Sequence, residues 1–348
     1  MTLKEIFTFD NLYKSHKKCR LNKQHKGEVI RFEINLAHSL SKLVREFGTE
    51  KFKFSKYKEF KIYDPKERCV EAPTYKDRVV MMCFSKVSIR PKLDKRLVFD
   101  NAACRLSKGT HFARSRLEKF LRAEFCRGKN NDFYYLKCDI AKYFQNINHE
   151  ILLNKLAGIG FSEEEMMFLR KLIVEQDKFV ARGLPLGNQT SQWFAILYLD
   201  RIDRLIKEEL HIKGYVRYMD DFILIHRDKK YLQYCMAKIA EVADSELKLE
   251  LNHKTQIGKV RNGIDFLGFR HYLTETGKVE TKLRSSAKAR MKRKLKVLGI
   301  LEKKKMVDSE YVKLRKEAFY NHVKNSDESD NFKLKLIAKN KKISAIYL

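Results

Sequence analysis

Four prolines and fourteen glycines are few for 348 residues, which excludes long irregular loops and predicts a chain made mostly of regular elements. The seven cysteines are odd in number, scattered, and without a Cys-x-x-Cys pair. That excludes a disulfide frame and a zinc site and reads as reduced thiols in a cytoplasmic protein. There is no run of eighteen apolar residues, and Met1 to Asn22 is polar and basic, unlike a signal peptide. No internal repeat or low-complexity linker is present. Acidic residues are also scarce, 44 against 74 Lys and Arg, which gives a net charge of +30. An excess that large, spread along the chain, points to a polyanionic partner. A membrane surface is the rival polyanion, but without an apolar span nucleic acid is the expected partner and a membrane is not. Hydrophobic residues at 44% exclude a disordered chain and allow about two or three subdomains around a core.

Apolar spacing predicts a helix over 28–47, behind a basic lead-in, 14–26, that can touch nucleic acid. Alternation over 54–63, a turn at Asp64-Pro65-Lys66-Glu67 and a return over 68–72 predict a hairpin. Helices are expected over 78–87, 110–125, from Asn148, behind the Ser162 cap, and over 190–209 and 230–247. A buried strand is expected over 133–139, and a second hairpin with arms 263–271 and 272–281. Residues 282–348 read as helical and basic, with eleven basic residues and one acid between Lys282 and Lys305.

The strongest signal is Tyr218-Met219-Asp220-Asp221, two adjacent carboxylates between apolar strands, so at a hairpin tip. Like charges that close repel, and a divalent cation relieves them. A third acid, Asp139, ends the apolar strand 81 residues upstream. Carboxylates that hold two ions about 3.5–4 Å apart are a standard device for in-line nucleotidyl transfer, and Mg²⁺ favours a few carboxylates plus substrate phosphates. An acidic turn without chemistry is the plain alternative. Between the acids, Gly183-Leu184-Pro185-Leu186-Gly187-Asn188-Gln189-Thr190-Ser191-Gln192 is a turn that opens a helix and lets a base pair approach closely.

In this order, from about Lys61 to Phe269, the segments resemble a reverse transcriptase. The resemblance implies an α+β right-hand polymerase with fingers, an antiparallel palm sheet and a helical thumb. It divides the chain into a basic helical extension (1–50), fingers (51–135), palm (136–275, with a fingers-like insertion at about 150–185) and basic thumb (276–348). It implies that Asp139, Asp220 and Asp221 are catalytic and that they hold two Mg²⁺, or Mn²⁺ as a substitute, together with the backbone of Ile140. Asp221 would be the more peripheral ligand. Incoming dNTP would meet Lys66, Arg68, Ala141, Leu186, Gly187 and Lys254, the last beside the pyrophosphate. Phe144 matches the steric gate that blocks a ribose 2′-hydroxyl; on periodicity it reads equally as a core residue. Nucleic acid would meet Arg78, the block Arg105-Leu106-Ser107-Lys108-Gly109-Thr110-His111 through Arg105, Lys108 and Gly109, then Gln192, Tyr218 and Met219. The Phe266-Leu267-Gly268-Phe269 turn resembles the primer grip, through Leu267 and Gly268. Lys288, Arg290, Lys292, Arg293 and Lys294 would lie along duplex phosphates. Arg78 reads alternatively as a salt-bridge partner of Asp77, and Lys254 as a surface lysine.

Leu186, where many relatives carry Gln, and Thr190-Ser191-Gln192 at the helix entrance are most similar to diversity-generating retroelement enzymes. That class implies low fidelity opposite template adenine. Defence-associated bacterial reverse transcriptases, some antiviral and with untemplated or repetitive synthesis, share the same core motifs. The resemblance implies RNA-directed DNA polymerase activity with RNA, an RNA–DNA hybrid and dNTPs as partners, and an accessory protein or second reverse transcriptase subunit as further candidates. A non-catalytic RNA-binding scaffold is the reading from another class, and the three intact aspartates oppose it.

Overall fold

The computed structural model describes residues 1–63, 67–174, 181–324 and 326. Its strands are β1 (Lys58–Ile62), β2 (Arg68–Ala72), β3 (Tyr134–Cys138), β4 (Gly214–Tyr218), β5 (Asp221–His226), β6 (Gln256–Lys259), β7 (Ile264–Phe266), β8 (Phe269–Leu273) and β9 (Val279–Leu283). They form an antiparallel hairpin β1–β2, a four-stranded antiparallel sheet ordered β4-β5-β3-β6, and a three-stranded sheet β7-β8-β9.

The four-stranded sheet is buried on both faces, which explains why Phe222 to Ile225 is continuously apolar rather than alternating. Successive residues enter opposite clusters. Leu136, Cys138, Tyr215, Phe222 and Leu224 join the main core, and Tyr135, Val216, Ile223 and Ile225 join a second one. Helix Lys229–Leu247 packs on β3, β5 and β6, and helix Thr110–Gly128 packs on β4. The second helix follows Gly109, whose φ is +155°.

The N-terminal region is not an appendage. Its helices are Leu3–Ile6, Phe9–Cys19, Gly27–Ile34 and Leu36–Gly48. Ile6, Phe7 and Leu12 are fully buried in the main core. Phe7 stacks on Phe47 at 3.7 Å and meets Phe168 edge-on at 5.3 Å. The single helix expected over 28–47 breaks at Asn35 (φ −117°, ψ 42°), and Ile30 and Ile34, apolar residues within that span, point outward. Asn is a poor helix-interior residue because its side chain competes for backbone hydrogen bonds.

The second expected hairpin is a three-stranded meander. Its first turn falls at Leu267 and Gly268, both in the left-handed region (φ +49° and +86°), not at His271–Tyr272. β8 alternates Phe269, His271 and Leu273 inward straight through that point. The expected palm–thumb division at 275/276 lies in the turn from β8 to β9. Beyond β9, helices Ser285–Lys303 and Ser309–Val323 pack together, and Met291 and Val323 close over Phe269 and Leu283.

Phe7→Ala should cost about 3–5 kcal/mol of unfolding free energy in urea titration, as expected for a buried aromatic. A loss below about 1 kcal/mol, within the range of surface substitutions, would show that the first helices are only loosely attached.

Candidate active site

Sheet register brings the three acids together. β3 delivers Asp139 one residue beyond Cys138, and Cys138 pairs with Phe222 on β5. Asp221 therefore starts the neighbouring strand beside Asp139, and Asp220 sits one residue earlier at the β4–β5 tip. Asp139 is fixed from behind: its carbonyl accepts from Asn252 N–H (2.7 Å), and Ala141 N–H donates to Glu250 (2.9 Å). These two bonds make the Ile140–Leu251 bridge without using Ile140's own carbonyl. The N–H of Ala141, a residue expected to line the dNTP site, is thus already bonded within the protein.

The tip is held by a buried guanidinium. Arg217 and Asp203 are both fully buried and joined by two bonds, Nε–Oδ1 at 2.7 Å and Nη2–Oδ2 at 2.5 Å. The remaining donors reach the carbonyls of Ile196 and Met219, each at 2.9 Å. Tyr215 donates its hydroxyl to Asp203. Burial opposes a charged guanidinium, but Asp203 outweighs it and pushes the Arg217 pKa up. Met219, in the left-handed region at φ +58°, is therefore tied to the core through its carbonyl, and the aspartates follow it directly.

Burial raises the pKa of Asp220, with Asp139 adding to the shift and Arg217 and Arg68 opposing it. Burial likewise pushes Asp221 up to about 6; Lys137 opposes this, while Asp139 and Asp220 add to it. Lys137 stands two residues before Asp139 and places its ammonium 3.2 Å from Asp221 Oδ2 and 2.7 Å from the Asp265 carbonyl. Asp221 Oδ1 is buried with no partner. Among the described residues no three His, Cys, Asp or Glu side chains are gathered closely enough to hold an ion alone. Mg²⁺ seldom needs such a cage, since it is usually held by one or two carboxylates, waters and substrate phosphates. Two mutually repelling carboxylates and an orphaned oxygen fit that requirement.

Other expected site residues divide into two groups. Arg68 is exposed at the end of β2 and acts electrostatically on Asp220; Lys66 lies outside the described residues. The Leu186 carbonyl accepts from Glu71 N–H (3.2 Å), and a side chain at Gly187 (φ +108°) would stand 3.0 Å from Val70. The β1–β2 hairpin therefore rests on this turn. Asn188 caps the following helix through Thr190 N–H, and Gln192 is exposed one turn on. Phe144 is half-buried beside Tyr143, and its carbonyl accepts from Leu184 N–H. Tyr218 spans both cores. Gly109 and Gly268 have open space where a side chain would project. Lys254 is exposed.

Three expectations are corrected. Arg105 is a structural clamp, bonded to Asp94 side chain and carbonyl and to the Val98 and Asn101 carbonyls, so its guanidinium is not available to nucleic acid. Lys108 binds the Phe99 carbonyl between the Phe99 and Phe112 rings, and burial pushes its pKa down to about 8. Arg78 does not pair with Asp77: it reaches the Pro73 carbonyl, while Asp77 accepts from Ser55 N–H and Thr74. On helix Ser285–Lys303, Lys292, Arg293 and Lys294 are exposed and Lys288 and Arg290 half-exposed. Arg217, Asp203, Tyr215 and Lys137 were missed. The available signal was a charge in an apolar strand, Arg217 after Tyr215-Val216 and Lys137 after Leu136, which demands a buried partner.

The family model described as reverse transcriptase (RNA-dependent DNA polymerase) matches residues 68–271. Similar solved structures include the apo telomerase of Candida tropicalis truncated from its C-terminal domain, with TM-score 0.50 and 16% identity over 66% of this chain and 55% of that one. The Candida tropicalis apo telomerase gives 0.51 and 17% over 68% and 48%. Candida albicans telomerase in complex with a TWJ fragment of telomeric RNA gives 0.51 and 13% over 84% and 64%. At these identities the likeness shows a shared fold, in agreement with the mixed helical and antiparallel architecture expected. The chain spans about half the length of the Candida tropicalis structures. No curated protein matches it.

Arg217→Met should lower stability by about 3–5 kcal/mol, because Asp203 is left buried and uncompensated. Arg217→Met with Asp203→Leu should recover most of that loss in denaturant titrations. Metal response should depend on pH. Asp221's folded pKa is raised, so its ionisation lowers stability as pH rises through about 6. Added Mg²⁺ should therefore raise the melting temperature more at pH 7.5 than at pH 5; an equal rise at both would contradict the assignment.

Proposed function

Because the chain belongs to the reverse transcriptase family, whose model covers residues 68–271, we propose that it is an RNA-directed DNA polymerase with Asp139, Asp220 and Asp221 as its catalytic acids. The observation that carries this reading is the β3–β5 register, which sets the strand-end aspartate beside the hairpin pair on a rigid, doubly covered sheet. Asp139 and Asp220 would hold the ions, with Asp221 peripheral because Lys137 already engages it. Bound Mg²⁺ supplies activation of a primer 3′-hydroxyl and charge stabilisation at the α-phosphate.

The chain's own residues do the positioning. Arg217 fixes the carbonyl before Asp220, and the Asn252 and Glu250 backbone fixes Asp139 and Ala141. Arg68, within electrostatic reach of Asp220, neutralises an incoming triphosphate. Phe144 stands where it can exclude a 2′-hydroxyl, the Leu267–Gly268 turn supports a primer end, and the exposed cations of Ser285–Lys303 follow duplex phosphates. Fingers, palm and thumb correspond to about 51–135, 136–275 and 276–348, with 1–50 packed into the same core. A dedicated RNA is the template; one structurally similar protein, Candida albicans telomerase, is in complex with a TWJ fragment of telomeric RNA. Leu186, beside the β2 strand, supports the diversity-generating class over a defence role, because an aliphatic side chain cannot hydrogen-bond a nascent pair.

Asp139→Ala and Asp220→Ala should each lower primer extension on RNA by roughly a thousandfold or more, as loss of a central electrostatic group does, with RNA affinity nearly unchanged. Extension that survives either change would remove the metal-site assignment. Phe144→Ala should raise the rNTP-to-dNTP ratio of kcat/KM by about a hundredfold, and an unchanged ratio would return Phe144 to a packing role.

A further inference from the structure

His149 is buried and opens helix His149–Ala157. Its ring does not serve that helix. Asn148 supplies the cap, accepting from Ile151 N–H, while His149 Nε2 stands 2.6 Å from the Gly183 carbonyl. A carbonyl oxygen only accepts, so Nε2 carries the proton and donates it. Nδ1 is then an acceptor, buried and without a partner among the described residues. A buried acceptor left unpaired is costly, and an apolar side chain would fill the same space without that cost. Packing alone therefore does not favour histidine here; the bond to Gly183 does.

That bond belongs to a strip joining two parts of the nucleotide site. Leu184 N–H donates to the Phe144 carbonyl (2.8 Å), Gly183 N–H to the Ile147 carbonyl (2.8 Å), and His149 N–H to the Ala181 carbonyl (3.0 Å). One side of the strip carries Phe144, the barrier to a ribose 2′-hydroxyl. The other runs directly into the Leu184–Gly187 turn, whose Leu186 carbonyl is bonded to Glu71 of β2. The backbone entering the turn is strained, with Ala181 and Gly183 both in the left-handed region (φ +72° and +102°). The three other bonds of the strip run backbone to backbone, and His149 adds a side chain to them. A steric barrier selects only if the ribose meets it at a fixed distance, and a misplacement of about 1 Å can cost roughly a hundredfold in rate.

We propose that His149 is a positioning residue for ribose selection: its bond to Gly183 sets the Leu184–Gly187 turn against Phe144. The proposal rests on the polymerase reading and deepens it. His149 acts through Phe144 and the turn rather than by touching the nucleotide.

The test compares wild type with His149→Leu, which cannot donate, and His149→Gln, whose amide N–H can reach the same carbonyl. The first readout is amide hydrogen exchange of the protein without nucleic acid. In His149→Leu, exchange at Gly183 and Leu184 should quicken about tenfold while helix Lys229–Leu247 is unchanged. His149→Gln should restore the wild-type protection. The second readout is single-nucleotide primer extension with rNTP and dNTP in parallel. His149→Leu should raise the rNTP-to-dNTP ratio of kcat/KM about tenfold, and His149→Gln should hold it within about twofold of wild type. In a Phe144→Ala background His149→Leu should move the ratio by less than about twofold, because the effect passes through Phe144. Unchanged exchange at Gly183 and Leu184 would overturn the proposal. So would an equal fall in both values of kcat/KM at constant ratio, or a Gln variant that behaves as Leu does. If His149→Leu does not fold, His149→Met, unbranched and adaptable, takes its place. Failure of wild type to extend any primer would refute the polymerase reading itself, and the exchange result would still decide whether His149 holds the turn.

Discussion

The site depends on the buried ion pair between Arg217 and Asp203. Removing two charges from water costs several kcal/mol for each ion, and their attraction repays it only when the remaining donors and acceptors are also satisfied. Here they are. One guanidinium edge takes both Asp203 oxygens, the other donors take the Ile196 and Met219 carbonyls, and Tyr215 adds a bond to Asp203. The pair therefore does more than neutralise itself. It ties the β4–β5 hairpin to helix Gln189–Tyr198 and to the short helix Asp200–Arg204. That anchorage lets two adjacent aspartates sit at the tip of a buried hairpin.

The same constraint explains the local electrostatics. Beyond the effect of burial, Asp139 raises the proton affinity of Asp220 and Asp221, and Asp220 adds to that of Asp221, where their arrangement is fixed by strands rather than by preference. A flexible turn would relax by swinging the carboxylates apart. This one cannot, because Met219 is held from behind and Asp221 is paired into β5 opposite Tyr218. Lys137 relieves part of the repulsion and links Asp221 to the Asp265 carbonyl in β7, the strand that leads into the Leu267–Gly268 turn. The carboxylates and the strand leading into the Leu267–Gly268 turn are thus joined through Lys137 across two sheets.

Much of this was legible in the sequence, and the reasons are specific. The Asp pair announced itself because adjacent carboxylates between apolar strands have few structural uses. β2 was read with its observed ends because its turn residues and alternation agree. The Ser162 cap was equally plain, with Ser162 and Glu165 exchanging backbone bonds. What failed were side chains whose role depends on distant partners. Arg105 and Lys108 sit in a motif-like block, but the Asp94 to Asn101 loop and two phenylalanine rings take them up. Arg217 and Lys137 look like interruptions of apolar strands, and only the packed structure names their partners. The N-terminal helices read as an extension because local periodicity cannot show that Phe7 reaches Phe168.

The most direct test of the account is sequencing of the nucleic acid that co-purifies with the wild-type chain. The account predicts one discrete RNA accompanied by DNA complementary to it. DNA that matches no bound RNA would contradict templated synthesis at these carboxylates.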